Sequence, residues 1–241
     1  MFNLVRRSPC RIVAAIYAAA IVFGSIPPAC SQTSEADVIQ GIDASVAFRD
    51  QNLTSYTVTE HYSVFRNQEK VHPAAEMTVK TTYQKDSGKS YEVLNESGSE
   101  LILKQVLGRV LDSEKTLTQP ANRANAIITS ANYTMHVRGR EVVDGRDCIA
   151  LSIAPRRSAQ YLFRGDLWVD AQDYSIVQLA GVTAKSPTVL ASPAQVSRHY
   201  TTVEGLPMAT HATATSASWL LGQTTIDIEY TAYQMELHAA H

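Results

Sequence analysis

The apolar positions of this chain change period along its length. Over residues 35–49, Val38, Ile39, Ile42 and Val46 recur at helical spacing and predict an amphipathic helix with a partner to cover. Ser34-Glu35-Ala36-Asp37 ahead of them has the spacing of a capping box, Asp37 standing in for a longer Glu near the positive helix end. From Leu53 the period is two: Tyr56, Val58, Tyr62 and Val64 alternate with Thr57, Thr59, His61 and Ser63. Met77, Val79 and Tyr83 repeat the pattern, Asp86-Ser87-Gly88 supplies a turn, and residues 90–94 read as the return strand. Hairpins of this kind make an antiparallel sheet.

Residues 100–114 break the alternation. Leu101, Leu103, Val106, Leu107, Val110 and Leu111 cover a wide arc of a helix, with Lys104, Arg109 and Asp112 elsewhere, and a second short helix is predicted over 122–128, after Pro120. From Asn132 the alternation resumes through 133–137, 147–154, 161–169, 175–184, 195–203, 207–217 and 224–235. The joints Val143-Asp144-Gly145-Arg146, Asp170-Ala171-Gln172-Asp173, Glu204-Gly205 and Gly222 suit tight turns. The fold class is therefore mainly β (α+β), with about ten strands in meander order, a number at which antiparallel sheets curl or close. Asp227, Glu229 and Thr231 alternate with Ile226, Ile228 and Tyr230, so one face is wet and one dry. Two helices fill only part of so large a concave face, and an apolar cavity is expected beside them.

The first eleven residues carry Arg6, Arg7 and Arg11 and no acid, and an apolar run over 12–26 follows, the n-region and h-region of a signal peptide. The run is about 15 residues, short of the roughly 20 a membrane span needs. Ala29-Cys30-Ser31 offers small residues at both ends of an A-x-A-like site, so cleavage is expected after Ser31, leaving 32–241 as one domain with a core over about 35–236. A rival route, cleavage before Cys30 with lipidation of that cysteine, has Pro27 and Pro28 where a lipobox carries an aliphatic and a small residue. Either route leads to the cell envelope, with the periplasm as the expected location.

Loss of that leader leaves 18 basic against 23 acidic residues, a net charge of −5. Such a surface argues against nucleic acid as a partner, because that affinity rests on neutralising phosphates. Cys148 alone then remains, in an alternating apolar stretch. One thiol makes no internal disulfide, so stability comes from the core, and Cys148 reads as a small buried apolar group.

A longer set of segments resembles a known family. They are Asn132-Tyr133, Val142-Val143-Asp144-Gly145-Arg146-Asp147-Cys148, Ala154-Pro155-Arg156-Arg157, Tyr161-Leu162-Phe163-Arg164-Gly165-Asp166-Leu167-Trp168-Val169-Asp170, Ala184-Lys185-Ser186-Pro187, Leu206-Pro207 and Ile228-Glu229-Tyr230. With the order of elements, they resemble the LolA/LolB-like superfamily of outer-membrane lipoprotein-sorting and periplasmic lipid-carrier proteins. The resemblance implies an unclosed barrel with helices across its mouth. It also implies a monomer that holds lipid or lipoprotein acyl chains, or another apolar ligand, in the half-barrel, with envelope proteins or a membrane surface as further partners. The alternative is an envelope interaction or stress-sensing module on the same fold, without lipid transport.

The candidate cavity residues are Leu101, Leu103, Val106, Leu107, Val110, Phe163, Trp168, Ile226, Ile228 and Tyr230. The ordinary reading of the helical set is a core plug, the functional one a lid, and both place its arc inside the half-barrel. For Trp168 the ordinary reading is a packed indole with its N–H satisfied. Arg156, Arg157 and Arg164 are candidates for an acidic headgroup or partner, or else solvated charges of a turn. Trp219, Leu220 and Leu221 gather three large apolar residues at a hairpin tip, either folded back as a cap or exposed as a docking patch.

No chemistry-bearing motif accompanies these. His61, His72, His136, His199 and His211 are scattered and His238 and His241 lie on a tail, without H-E-x-x-H, paired cysteines or an acid-rich loop, so no metal is assigned. The absence of a G-x-S-x-G elbow, of a G-x-x-x-x-G-K loop and of G-x-G-x-x-G leaves neither catalytic residues nor a cofactor to name, and the chain is not read as an enzyme.

Overall fold

The computed structural model describes residues 34–159, 161–186, 191–219 and 222–238. The expected leader, its cleavage site, Leu220, Leu221 and His241 lie outside the described residues.

Helix α1 (Glu35–Asn52) starts at Ser34, whose hydroxyl accepts from the Asp37 amide while the Asp37 carboxylate accepts from the Ser34 amide, so the capping box closes in both directions. Ten strands follow in one antiparallel sheet: β1 (Leu53–Arg66), β2 (Ala75–Gln84), β3 (Gly88–Gly98), β4 (Tyr133–Val143), β5 (Arg146–Pro155), β6 (Phe163–Asp170), β7 (Ile176–Thr183), β8 (Gln195–Val203), β9 (Leu206–Ser218) and β10 (Gly222–Leu237). Their spatial order is β3-β2-β1-β10-β9-β8-β7-β6-β5-β4. Every neighbouring pair but β1–β10 is consecutive in the chain. β3 and β4 are the two edges and do not pair, so the curled sheet is not closed into a barrel.

The segment between those edges carries α2 (Glu100–Ile102), a π-helical turn (Leu103–Leu107), α3 (Gly108–Thr118) and α4 (Pro120–Arg123). The helix expected over 122–128 is replaced by α4 and a turn. The reason is local: Asn132 Nδ2 donates to the Ala124 and Ile127 carbonyls at 3.0 and 2.8 Å, and Arg157 Nη2 donates to the Asn125 carbonyl at 2.6 Å. Carbonyls that a helix would bond to its own amides are taken by side chains instead. Strand β4 runs on past the expected 137 because Val143 still pairs with Arg146 across the β4–β5 turn.

The two helical pieces cover different halves of the concave face. Val38 and Ile42 of α1 pack into a cluster with Ile149, Leu151, Leu167 and Val169 of β5 and β6. Ile102 and Leu107 pack into another with Val58, Tyr62, Val79 and Ile228 of β1, β2 and β10. Gly41 lets α1 settle on its partner, since a Cβ there would lie 2.4 Å from the Tyr174 ring.

Strand β10 keeps its dry face continuous by a bulge. Between Thr57 and Thr59 of β1 it advances from Gln234 to Thr231, one residue too many, with Ala232 at φ 55°. Ile226, Ile228 and Tyr230 on one side and Tyr233 and Met235 on the other thereby join the same cluster despite their change of phase.

Candidate ligand-binding cavity

Between the two helices the concave face is not filled. A transverse row of the sheet runs Tyr62, Ile228, Ala212, Arg198, Leu179, Leu167, Leu151, each residue directly opposite the next on adjacent strands. Its middle is shallow because β9 contributes Ala209, Ala212 and Ala214, which leave a cavity of about 530 Å³ bounded by α1, α3 and both sheet halves. That volume falls within the several-hundred-Å³ range of small-molecule sites.

Five of the residues singled out from the sequence line this cavity: Val110, Phe163, Ile226, Ile228 and Tyr230. Leu107 is fully buried beneath the helix as core, Leu103 and Val106 pack partly buried against the same cluster, and Leu101 points outward, 52 % exposed. Trp168 is a correction. In β6 the dry phase falls on Phe163, Leu167 and Val169, so Trp168 stands on the convex face opposite Ala150, where its indole N–H donates to Glu141 at 2.8 Å. Cys148 and Ala150 of β5 share that outer face and are buried, and burial pushes the Cys148 thiol up.

The three arginines do not gather into one site. Arg156 donates to the Ser130 carbonyl at 2.8 Å, and Arg157 donates to Asn132 Oδ1 at 2.8 Å besides Asn125, so both fasten the segment between α4 and β4. Arg164 is exposed, out of phase with inward-facing Phe163. Trp219 is 75 % exposed at the end of β9.

Residue patterning passed over the polar part of the site. Glu60 on β1 has no exposed surface and accepts from the Tyr62 hydroxyl and, at 3.4 Å, from Lys89 Nζ on β3. Lys89 also donates to Glu114 of α3 at 2.5 Å, and Glu114 receives the Tyr91 hydroxyl at 3.3 Å and Arg198 of β8 at 3.5 Å. Helix α3 is thus tied by one carboxylate to strands on both sides of the gap. Burial opposes ionisation of Glu114, but Lys89 and Arg198 outweigh it and hold the carboxyl at about 2. Burial likewise works against the charge on Lys89, and Glu114, Tyr56 and Glu60 reverse that, keeping it well above an ordinary lysine. Burial raises the phenols of Tyr62, Tyr91, Tyr230 and Tyr233, which stay neutral donors.

These charges carried a signal in the sequence. Glu60 falls in the dry phase between Val58 and Tyr62, Arg198 between Val196 and Tyr200, and Glu114 continues the helical stripe of Leu107, Val110 and Leu111. A charge in phase with apolar neighbours marks a buried ion pair or a site.

No family model matches the chain, and no curated protein matches it. Solved structures do. A putative outer membrane lipoprotein-sorting protein domain from Vibrio parahaemolyticus aligns at 13 % identity over 83 % of this chain and 91 % of its own, with a TM-score of 0.47. The LolA superfamily protein NE2245 from Nitrosomonas europaea aligns at 12 % identity over 83 % and 93 %, with a TM-score of 0.43. A DUF1329 family protein from Desulfovibrio piger ATCC 29098 gives 12 % identity over 84 % and 95 %, with a TM-score of 0.43. At such identities and TM-scores the likeness assigns no activity.

Proposed function

We propose that this protein binds acyl chains of a lipid or lipoprotein, or a comparable apolar ligand, in the concavity of its half-barrel, in the periplasm of a bacterial-type cell. The observation that carries the reading is the cavity of about 530 Å³ between α1 and α3, with aliphatic and aromatic side chains of both sheet halves on its walls. Burying apolar ligand surface there is worth about 25 cal/mol per Å², so an acyl chain that loses some 200 Å² to the cavity gains roughly 5 kcal/mol before the costs of association. Binding of this kind requires burial, not chemistry. The arginine-led apolar leader supports export, with a product that begins at Gln32.

Native mass spectrometry of the protein recovered from a periplasm tests both parts. The expected spectrum shows a chain starting at Gln32 with non-covalent adducts of lipid mass. A protein that carries no adduct and displaces no fluorescent acyl probe defeats the ligand reading.

The interaction-module alternative has one observation on its side, the exposed Trp219 at the end of β9. It expects a stable complex with an envelope protein and no bound lipid.

A further inference from the structure

The charges on the cavity wall narrow the ligand class, an inference that rests on the reading of the concavity as an apolar-ligand site. Four lining side chains are cationic (Arg49, Lys89, Arg123, Arg198) and two anionic (Asp50, Glu114). Arg123 pairs with Asp50 at 3.3 Å, Lys89 divides itself between Glu114 and Glu60, and Arg198 reaches Glu114. Counting Glu60 behind the wall, three carboxylates answer three of the four cations.

Arg49 is the remainder. Its Nε donates to the Pro207 carbonyl at 3.1 Å and its Nη2 lies 3.6 Å from Met208 Sδ, both neutral groups and the second a weak acceptor. Among the described residues no carboxylate pairs with it. A guanidinium keeps its charge under all ordinary conditions and carries five N–H donors in a planar fork, so two neutral contacts leave most of that capacity unspent. Partial burial beside apolar surface makes an unanswered charge costly, and an incoming anion removes that cost. Arg49 also belongs to the charged end of the wall, since the Tyr56 phenol lies in the fields of both Arg49 and Lys89.

We propose that the cavity selects an amphiphile bearing one anionic group, a carboxylate or a phosphate, with its chain on the Ala209–Ala212–Ala214 floor and its anion in the fork of Arg49. Carboxylates and phosphates are the two groups that a guanidinium grips with two parallel hydrogen bonds. A neutral chain would fill the floor and leave Arg49 as it is.

The test is calorimetric titration of the delipidated protein with decanoate, decyl phosphate, neutral decanol, acetate and inorganic phosphate at one ionic strength. Decanoate and decyl phosphate are expected to bind roughly tenfold or more tightly than decanol, the size of one charge-assisted hydrogen bond, and the two chainless anions weakly or not at all. Arg49→Gln is expected to bring the decanoate-to-decanol preference near unity, and Arg49→Lys to restore part of it. The preference is a ratio within one protein, so a partly unfolded variant loses sites without changing it. Equal affinity for decanol and decanoate in the parent protein overturns the anion assignment and leaves the apolar-ligand reading intact. A preference that survives Arg49→Gln removes Arg49 from it. Inorganic phosphate binding as tightly as decyl phosphate makes this a free-anion site and sinks the amphiphile. Failure of all three ten-carbon compounds to bind defeats the apolar-ligand reading and this inference with it.

Discussion

Glu114→Gln removes the charge that ties α3 to Lys89 on one side and Arg198 on the other, keeping the shape but replacing one of the two accepting oxygens with an NH2 donor. In the folded protein this carboxyl lies at about 2 against an ordinary 4.5. At 1.36 kcal/mol per pH unit of displacement, the ionised form contributes about 3 kcal/mol to folding at neutral pH. The sign follows from the direction of the shift. A depressed carboxylate stabilises fully above its unfolded value of 4.5 and loses that contribution as pH falls through about 2. Urea unfolding of parent and variant between pH 7 and pH 2 should give a gap of about 3 kcal/mol at the neutral end that narrows below pH 4.5, because the unfolded parent takes up a proton there while the folded parent stays ionised until about 2. The variant leaves Lys89 with Glu60 as its carboxylate partner, and breaking a buried pair from one side costs about 3–5 kcal/mol, so the loss can exceed the titration figure. A variant within 0.5 kcal/mol of the parent at pH 7, with an unchanged acid limb, would refute the idea that this carboxylate is held by its two cations.

Three further outcomes are expected. Cys148→Ser should lower stability by roughly 1 kcal/mol or more through a hydroxyl placed in a buried position, and the native thiol should react slowly with thiol reagents, fast labelling being the contrary result. Gly165→Ala should destabilise strongly, by about 3 kcal/mol, because the new Cβ would lie 2.1 Å from the Ala180 carbonyl oxygen where β6 and β7 set Gly165 against Gly181; a normal urea midpoint would contradict the close approach. Trp219→Ser should leave the melting temperature unchanged, since little of this side chain is covered, and a clear drop would identify it as part of a cap and count against docking.

Patterning carried the architecture well and the site only in part. Period-two runs are imposed by the pleat itself, so Tyr56-x-Val58 or Ile226-x-Ile228 reports its face with little help from distant residues. Trp168 escaped that logic because Leu167-Trp168-Val169 is apolar throughout, and only the pairing of β6 with β5 decides which member turns outward. The cavity was foreseeable as a shortage of helix, but its position over β9 depends on three alanines whose smallness matters only once α1 and α3 are placed on either side. The charged wall was missed for a different reason. Glu60, Arg198 and Glu114 each stand in phase with apolar neighbours, but which cation answers which carboxylate follows only from the pairing across β3, β2, β1, β10, β9 and β8 and from the placing of α3 against them.

The seam between β1 and β10 has a consequence for how the molecule is made. Ser55 meets Glu236 across 181 residues of sequence, and the other strand pairs are local hairpins or their equivalents. A chain emerging from its N-terminus can form the β1–β3 meander early and the β4–β9 meander later, yet nothing stitches the two into one sheet until the last strand arrives. Before that, each meander presents an unpaired backbone edge in mid-assembly, the state most open to pairing with another chain. Long-range closure of this kind slows folding. C-terminal truncation ahead of β10 would therefore yield two sticky half-sheets, not a smaller version of the same protein.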